Sequence, residues 1–311
     1  MTQLDVSVVI PVRNEEENAI PIAEAVIREM ERTGVSFDLI FIDNSSQDRT
    51  VALLRELCAR DPRVRLIINA RNFGQMRSPT HAIFEARGRA VINMCADFQD
   101  PPTLLPEIVR RWQAGSEIVL GVRESERSSF GLSVARRTAY WFARRFGDYP
   151  IIPNATGFGL YTQRVVQEIA RLNEPEPFFR GMLVETGFDI VTISYPRPPR
   201  AAGRSNNNFF ALLDFALSGI AGSSKRLVRV PFFAGTIGVI AAFLLFPITI
   251  LASLWGAAGW GWWLAIALQL QFGLLFIFLG LIGDQIRLIS ERTRQTPLVV
   301  ERERVNFPAD Y

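Results

Sequence analysis

The chain has 311 residues, of which 49% are apolar and 21% charged, and this composition excludes a disordered protein and fits one or two globular domains. The formal net charge of +3 is too small to give the cationic surface that binds DNA or RNA, so the sequence predicts no nucleic-acid partner. Two cysteines cannot form a disulfide framework or a zinc site on their own, which indicates a reducing compartment.

Residues 6–123 contain short apolar runs that alternate with helical patterns, and this alternation predicts an α/β domain with a mainly parallel, doubly wound sheet. The predicted strands are 6–12, 37–43, 64–69, 90–94 and 118–122. Ligands of such sheets bind beyond the carboxyl ends of the strands. The polar residues that directly follow each strand are therefore the candidate site.

Helices are predicted between these strands. One covers about residues 19–33, and a second begins after Asp48, which is a candidate cap. A third is expected to begin with Ser78 as its N-cap and Pro79 as its first helical residue. His81, the only histidine, would then lie in the first turn, and we interpret it as structural rather than catalytic.

Two polar clusters directly follow predicted strands. Asp43 leads into a run of Asn, Ser and Asp residues that fits either a ligand site or an ordinary turn and helix cap. Asp97, Gln99 and Asp100 bring two carboxylates and a carboxamide to the edge of the sheet. Oxygen ligands suit a hard cation such as Mg²⁺ or Mn²⁺, which usually takes one or two protein groups and completes its shell with water and substrate phosphates. The second cluster therefore predicts a metal–diphosphate site.

Four motifs occur in order along the chain: Val-Val-Ile-Pro-Val-Arg-Asn-Glu-Glu-Glu-Asn at 8–18, Asp43 with its Ser/Asp turn, Arg-Asn-Phe-Gly at 71–74, and Ala-Asp-Phe-Gln-Asp-Pro-Pro at 96–102. Together they resemble the family-2 inverting glycosyltransferases, and among these the polyprenyl-phosphate glycosyltransferases of the dolichol-phosphate-mannose-synthase-like group. The resemblance covers residues 6–206 and implies a GT-A (Rossmann-like) catalytic domain. It also implies transfer of a hexose from a UDP- or GDP-linked sugar to a polyprenyl phosphate lipid, with inversion.

The resemblance further implies roles for individual residues. The nucleotide-sugar would be held by residues at or just beyond the carboxyl ends of the strands, namely Pro11, Arg13, Glu15, Asp43, Asn72 and Asp97. Asp97 and Gln99 match the metal-binding positions, so Mg²⁺ or Mn²⁺ is the implied cofactor. Arg123 matches an arginine that approaches phosphate, and the segment 195–205 resembles a loop that closes over the donor and the lipid phosphate.

The acceptor phosphate is assigned mainly to arginines, because guanidinium groups match the geometry of phosphate oxygens. The assigned residues are Arg137, Arg197, Arg200 and Ser205. Any single one of these arginines fits a solvated cationic surface equally well. The expected catalytic residues are Asp97, Arg123 and Arg200.

The chain departs from the family pattern at four places. Asn44 and Cys95 stand where aspartates are usual, Asn206 stands where a lysine is common, and the segment 156–161 lacks the aspartate that has been assigned as the catalytic base. A phosphate acceptor has its second pKa near ~6, so it is already a dianion at neutral pH, whereas an alcohol must lose a proton in the transition state. A phosphate acceptor would therefore tolerate the missing base, whereas an alcohol acceptor would not. A transferase to another cell-envelope glycolipid or glycan, and a catalytically inactive scaffold, remain as alternatives.

Residues 231–283 form 53 consecutive uncharged positions, which predicts an integral membrane protein. Two spans, 232–254 and 262–282, are each near the ~20 residues that cross a bilayer. Basic residues flank the outer ends of both spans and are missing from the turn between them. This pattern predicts a plasma (inner) membrane protein whose catalytic domain and two termini are cytoplasmic.

The expected domains are the glycosyltransferase domain (1–206), a juxtamembrane helix and basic linker (207–230), the two spans (231–283) and a cytoplasmic tail (284–311). Residues 208–221 fit either a helix that lies in the membrane interface or a helix packed on the catalytic domain. The tail contains a short strand-like segment at 298–300. We also expect a homo-oligomer.

Overall fold

The computed structural model describes residues 4–124, 152, 154–175, 177–196 and 297–308, together with scattered positions between 261 and 293. Its strands are β1 (Val6–Val12), β2 (Phe37–Asp43), β3 (Val64–Asn69), β4 (Ala90–Asn93), β5 (Ile118–Arg123), β6 (Ala155–Thr162), β7 (Ile190–Tyr195) and β8 (Glu301–Val305). Its α-helices are α1 (Ala19–Glu31), α2 (Thr50–Arg60), α3 (Gly74–Glu85), α4 (Leu105–Gln113), α5 (Gln163–Arg171) and α6 (Phe179–Glu185).

All eight strands belong to one sheet, in the order β7-β5-β6-β4-β1-β2-β3-β8. The pairs β1–β2, β1–β4, β2–β3 and β5–β7 are parallel, whereas β6 is antiparallel to both β4 and β5 and β8 is antiparallel to β3. The carboxyl ends of β1, β2, β3, β4, β5 and β7 therefore share one edge of the sheet. The predicted α/β architecture with a mainly parallel sheet is confirmed.

The sheet is buried on both faces. Val8 and Ile10 of β1 join a core with α1, α2 and α4, and Val9 between them joins a second core with α3, α5 and α6. Side chains of a strand point to alternate faces, so a strand covered on both sides reads as a continuous apolar run. This is why the five predicted strands match the observed ones to within one residue.

The third helix differs from its prediction. α3 begins at Gly74, so Ser78 is not its N-cap and Pro79 lies inside the helix. The hydroxyl of Ser78 instead accepts a hydrogen bond from Nδ2 of Asn69 over 2.9 Å, inside the protein. His81 consequently lies in the middle of α3, where its Nε2 is 2.5 Å from Oε1 of Glu301, which supports a structural role.

The C-terminal strand was predicted three residues too early. Residues 298–300 are irregular, and the strand β8 consists of alternating acidic and basic residues. Such a sequence has no apolar run, but its side chains form ion pairs with two helices: Glu303 pairs with Arg55 of α2, and Arg304 pairs with Glu85 of α3. A charged strand at the sheet edge also blocks pairing with other chains. The tail therefore returns to the catalytic domain.

The predicted membrane segments fall mostly on residues that the structure does not describe. Both the first span, 232–254, and the interfacial helix, 208–221, lie entirely outside the described residues. Of the second span, only separate positions are described, and these are helical. No helix among the described residues is long and apolar enough to cross a membrane.

Candidate active site

Three residues at the carboxyl ends of the strands have left-handed backbone conformations. They are Asn14 after β1, Ser45 after β2 and Phe98 after β4, with φ values of 54°, 63° and 61°. A residue other than glycine loses about 1–2 kcal/mol in this conformation. Strained residues of this kind cluster at functional sites, where the surrounding structure holds them. The three turns mark the same edge of the sheet as the predicted site.

The loops after β1 and β2 are fastened together by reciprocal hydrogen bonds. The amide of Asn14 donates to the Ser46 hydroxyl over 2.9 Å, while Oδ1 of Asn14 accepts from the amide of Gln47 over 2.8 Å. The amide of Glu15 donates to the hydroxyl of Thr50, at the start of α2, over 2.9 Å. Pro11 is half-buried in β1 and Arg13 is exposed directly after it. Three of the predicted nucleotide-binding residues, Pro11, Arg13 and Glu15, thus share one corner of the sheet edge with Asp43.

Asp43 itself is fully buried, and its carboxylate accepts the amide hydrogen of Ser46 over 3.1 Å. Burial raises the pKa of this carboxyl, and the hydrogen bonds from Ser46 oppose that rise. Asp43 therefore stabilises the turn, as the simpler of its two sequence interpretations predicts. Its predicted contact with the nucleotide-sugar stays a prediction.

Asn44 connects the loops after β2 and β3. Its Nδ2 donates to Oδ1 of Asn72 over 2.7 Å and to the carbonyl oxygen of Gly74 over 3.0 Å. Its Oδ1 accepts from the amide of Phe73 over 2.8 Å and from Nδ2 of Asn69 over 3.3 Å. An aspartate has no N–H group to donate, so it would place its carboxylate against two acceptor oxygens. The asparagine at this position is therefore required by the local hydrogen bonding.

The predicted metal-binding residues lie in the turn after β4. Asp97 is buried, and its Oδ1 accepts a hydrogen bond from the amide of Gln99 over 3.2 Å. Among the described residues, no three His, Cys, Asp or Glu side chains form a group that could hold a metal ion. A Mg²⁺ ion needs only one or two protein groups when substrate phosphates complete its shell. The carboxylate of Asp97 and the carboxamide of Gln99 fit that requirement.

Cys95 occupies the position where a further aspartate is usual. The residue is exposed to solvent. Surrounding protein atoms displace water from the thiol, and Asp100 and Asp97 lie nearby, so its pKa is raised well above the ordinary value. Without a bound cation this thiol is therefore protonated at neutral pH, so it does not add the negative charge that an aspartate would bring to the turn.

The next carboxylate, Asp100, belongs to the cluster that predicts a metal–diphosphate site, but the structure binds it to protein groups. It is 1% exposed, and its Oδ2 accepts the amide hydrogen of Cys95 over 3.1 Å. Its Oδ1 accepts the hydroxyl of Tyr195 over 2.8 Å and pairs with Nη2 of Arg123 over 3.1 Å. Burial and the Asp100 carboxylate raise the pKa of Tyr195 to about 12. Arg123, the predicted phosphate-binding arginine, is thus held at the carboxyl end of β5 by a buried carboxylate.

Gly157 of β6 stands in the segment where a catalytic aspartate is common. Its φ of +87° is a conformation that glycine adopts freely and other residues adopt at a cost. Its carbonyl oxygen accepts hydrogen bonds from the hydroxyl of Tyr161 over 2.6 Å and from Nδ2 of Asn93 over 3.0 Å. Arg180 of α6 lies on the same side, with Cγ 3.8 Å from the position of a Cβ at Gly157. The guanidinium of Arg180 donates from Nη1 to the carbonyl oxygen of Ala155 over 2.7 Å, so this positive charge lies near the start of β6, two residues before Gly157.

The predicted acceptor residues Arg137, Arg197, Arg200 and Ser205 lie outside the described residues. Sequence reasoning missed Asn93 and Arg180, and it did not predict the contacts that Asp100 makes with Arg123 and Tyr195. Asp100 and Tyr195 each belong to a motif that the sequence singles out, whereas Asn93 and Arg180 reach the site through contacts between distant parts of the chain.

Comparison with known proteins identifies the family. Residues 7–169 match Glycosyl transferase family 2, which is more than half of the chain, so the chain belongs to that family. It is a glycosyltransferase that takes its sugar from a nucleotide-sugar, as the motifs predict. The described domain is a GT-A-like α/β fold.

The chain is 32% identical over 299 residues to "Uncharacterized glycosyltransferase YkcC" of Bacillus subtilis (strain 168), with 94% of this chain and 92% of that protein covered. It is 32% identical over 308 residues to "Bactoprenol glucosyl transferase" of Shigella phage SfV, with 97% and 99% covered. Among solved structures, mannosyl-3-phosphoglycerate synthase from Rubrobacter xylanophilus matches 70% of this chain and 73% of its own, at 16% identity and a TM-score of 0.49.

Proposed function

We propose that this glycosyltransferase transfers a sugar from a nucleotide-sugar to a polyprenyl phosphate at the cytoplasmic leaflet of the plasma membrane, with inversion. The observation that carries the proposal is Gly157, whose backbone conformation disfavours the aspartate that a base-dependent enzyme would need there. Similarity over almost the whole chain to a protein named bactoprenol glucosyl transferase supports the same acceptor class.

The chemistry is a single displacement at the anomeric carbon. An oxygen of the acceptor phosphate forms a bond to that carbon while the bond to the nucleotide diphosphate breaks, and the configuration inverts. The acceptor is ionised before it attacks, since its second pKa is about 6, so no proton has to be removed. The electrostatic task is to bring two anions together and to stabilise the leaving diphosphate.

The described residues provide parts of that environment. Arg123 places positive charge at the carboxyl end of β5, and the guanidinium of Arg180 binds the Ala155 carbonyl, two residues before Gly157. Asp97 and Gln99 would hold a divalent cation, Mg²⁺ or Mn²⁺, which neutralises the leaving diphosphate when bound. Arg200 and its neighbours would bind the acceptor phosphate.

The sheet topology supports the membrane arrangement. β7 ends at Tyr195 and β8 begins at Glu301, and both strands belong to the same sheet. A chain that leaves a domain, enters a bilayer and returns to the same domain must cross the bilayer an even number of times. Two spans with both ends cytoplasmic satisfy that condition. Exposed apolar side chains at Leu268, Phe272 and Leu279, within the predicted second span, would be covered by lipid or by a second copy of the chain.

The test is incubation of the purified full chain with a panel of UDP- and GDP-sugars, Mg²⁺ or Mn²⁺, and either polyprenyl phosphate or the matching polyprenyl alcohol. Lipid extraction and mass spectrometry identify the product. We expect a sugar on the phosphate and none on the alcohol, with loss of turnover in chelator and in Asp97→Ala. Transfer to the alcohol would show a base and contradict the proposal. Nucleotide binding without transfer to either lipid would favour the inactive scaffold.

A further inference from the structure

Asp100 joins parts of the site that are separated in the sheet. It follows β4, whereas its partners Arg123 and Tyr195 are the last residues of β5 and β7. β6 lies between β4 and β5, so the carboxylate reaches across one strand to hold the ends of the next two. Arg123 and Tyr195 are also register partners in the parallel β5–β7 ladder.

The contacts of Asp100 use both carboxylate oxygens. Oδ1 binds the Tyr195 hydroxyl and the Arg123 guanidinium, and Oδ2 accepts the amide of Cys95, two residues before Asp97. Nε of Arg123 also donates to the Tyr195 hydroxyl over 3.3 Å. The three side chains therefore form a closed triangle, in which each member contacts the other two.

The packing around the triangle leaves little room for movement. The ring of Tyr195 packs edge-on against Phe158, with centroids 5.6 Å apart. Both rings lie over Gly121 of β5, where a Cβ would come within 2.8 Å of Phe158 and 3.0 Å of Tyr195. Glycine at that position lets the rings approach the strand. Asp100 is thus held by a packed aromatic pair as well as by charge.

We propose that Asp100 is a positioning residue that fixes Arg123 and the turn containing Asp97 relative to each other, with Tyr195 as the third member of the unit. This inference rests on the proposed function, in which Arg123 and Asp97 act on the same nucleotide diphosphate. A buried carboxylate paired with a guanidinium fixes its direction, and a displacement of about 1 Å at a reacting centre can reduce the rate on the order of 10²-fold. Tyr195 also directly precedes the segment predicted to hold the acceptor.

The experiment compares Asp100→Asn, Tyr195→Phe and the double variant with the wild-type enzyme. An asparagine has one acceptor oxygen and no charge, so Asp100→Asn loses either the hydrogen bond from Cys95 or those from Tyr195 and Arg123, and in both cases the ion pair with Arg123. We expect kcat to fall on the order of 10²-fold, with a smaller change in the KM for the donor. Tyr195→Phe keeps the packing of the ring, so we expect a smaller decrease in kcat than in Asp100→Asn. In the double variant the loss should equal that of Asp100→Asn alone, because residues that act as a unit are not additive.

Asp38→Asn is the matched control. Asp38 is an equally buried carboxylate paired with Arg65 over 2.7 Å, in the amino-terminal half of β2, away from the site edge. Its variant should be destabilised without a change in kcat. Losses that multiply in the double variant, or an equal loss of kcat in Asp38→Asn, would overturn the proposal. If Asp100→Asn does not fold, Tyr195→Phe is compared with Asp38→Asn instead. An unchanged kcat in Tyr195→Phe would then overturn the proposal.

A readout independent of turnover separates this inference from the proposed function. Hydrogen exchange should become faster in 94–101 and in 121–124 together when Asp100 is changed, and in neither when Asp38 is changed. A wild-type enzyme that does not glycosylate polyprenyl phosphate would refute the proposed function alone. Exchange that increases in only one of the two segments would refute the positioning role alone.

Discussion

Nδ2 of Asn44 donates a hydrogen bond to Oδ1 of Asn72 over 2.7 Å, and this contact joins the two loops that follow β2 and β3. Oδ1 of Asn72 also accepts the amide hydrogen of Gly74, the first residue of α3, over 2.9 Å. A residue that departs from the family pattern therefore supports Asn72, which is predicted to bind the nucleotide. The departure at Asn44 is a structural adaptation and gives no sign of lost activity.

Asn44→Asp should destabilise the protein and weaken nucleotide binding. The carboxylate would face the carbonyl of Gly74 and Oδ1 of Asn72, and a buried group left without its partner costs about 1–3 kcal/mol. Urea unfolding and calorimetry with UDP or GDP measure the two effects. Asn306→Asp is the control, because Nδ2 of Asn306 donates to the carbonyl of Val64 over 2.6 Å at the opposite edge of the sheet. Equal nucleotide affinity in wild type and Asn44→Asp would contradict this role.

The sequence predicts strands well where burial determines their composition and poorly where it does not. Strand β2 is buried along its whole length, and its predicted bounds are the observed ones. Strand β8 is half-exposed, and its alternating Glu and Arg residues give no apolar signal. The start of α3 was misplaced because Ser78-Pro79 matches a general capping pattern, whereas the actual beginning depends on Asn72 and on partners in other strands.

The same distinction applies to the site. Asp97 and Gln99 were predicted because their motif is contiguous and follows a strand, and the structure places both at the sheet edge. The contacts of Asp100 with Tyr195 could not be predicted, since 95 positions separate the two residues along the chain. Local sequence thus indicates the chemistry of the site, whereas the orientation of its charged groups depends on tertiary contacts.

Alkylation of Cys95 should be slow at pH 7 and should become faster as the pH rises. The thiol is accessible but its pKa is raised, so the reactive thiolate is scarce at neutral pH. Cys58 is buried, with a pKa raised to about 11, and serves as an unreactive internal reference. Nucleotide with Mn²⁺ should protect Cys95 if the donor binds at the turn after β4. Rapid labelling at pH 7, or labelling that nucleotide does not slow, would contradict the placement.

Glu301→Gln should reduce stability at pH 7 and have less effect at pH 3. Burial alone would raise the pKa of Glu301, but hydrogen bonds from His81 and Arg304 lower it to about 2. A lowered pKa means that the charged form stabilises the fold above the unfolded value of 4.5, and that this contribution is lost as the pH falls toward 2. The expected loss at pH 7 is about 1.5–3 kcal/mol by urea unfolding.

Glu303→Gln is the control for that measurement. Glu303 lies in the same strand and pairs with Arg55, but both side chains are substantially exposed, so solvent screens the pair. Replacing Glu303 should lower the free energy of unfolding less than replacing Glu301 does. A pH-independent difference between wild type and Glu301→Gln would show that the charge of Glu301 does not hold β8 against α3.

Gly157→Asp should fail to create a base-dependent enzyme, although it restores the carboxylate that many family members carry. At the left-handed φ of +87°, an aspartate should lower the stability of the fold by about 1–2 kcal/mol. A Cβ at this position meets no atom closer than 3.8 Å, so the variant should fold. The new carboxylate would lie beside Arg180 and would compete with the acceptor phosphate for positive charge. We expect slower transfer to polyprenyl phosphate and none to polyprenyl alcohol.

Gly34→Asp separates backbone strain from chemistry. Gly34 has a similar φ of +71°, lies after α1 and has open space around its Cβ position. It should lose a similar amount of stability and keep the wild-type rate with polyprenyl phosphate. The two variants, assayed with both lipids under the same conditions, therefore distinguish a general loss of folded protein from an effect at the acceptor. Efficient transfer to the alcohol by Gly157→Asp would mean that the site can use a base, and that phosphate selectivity does not originate at Gly157.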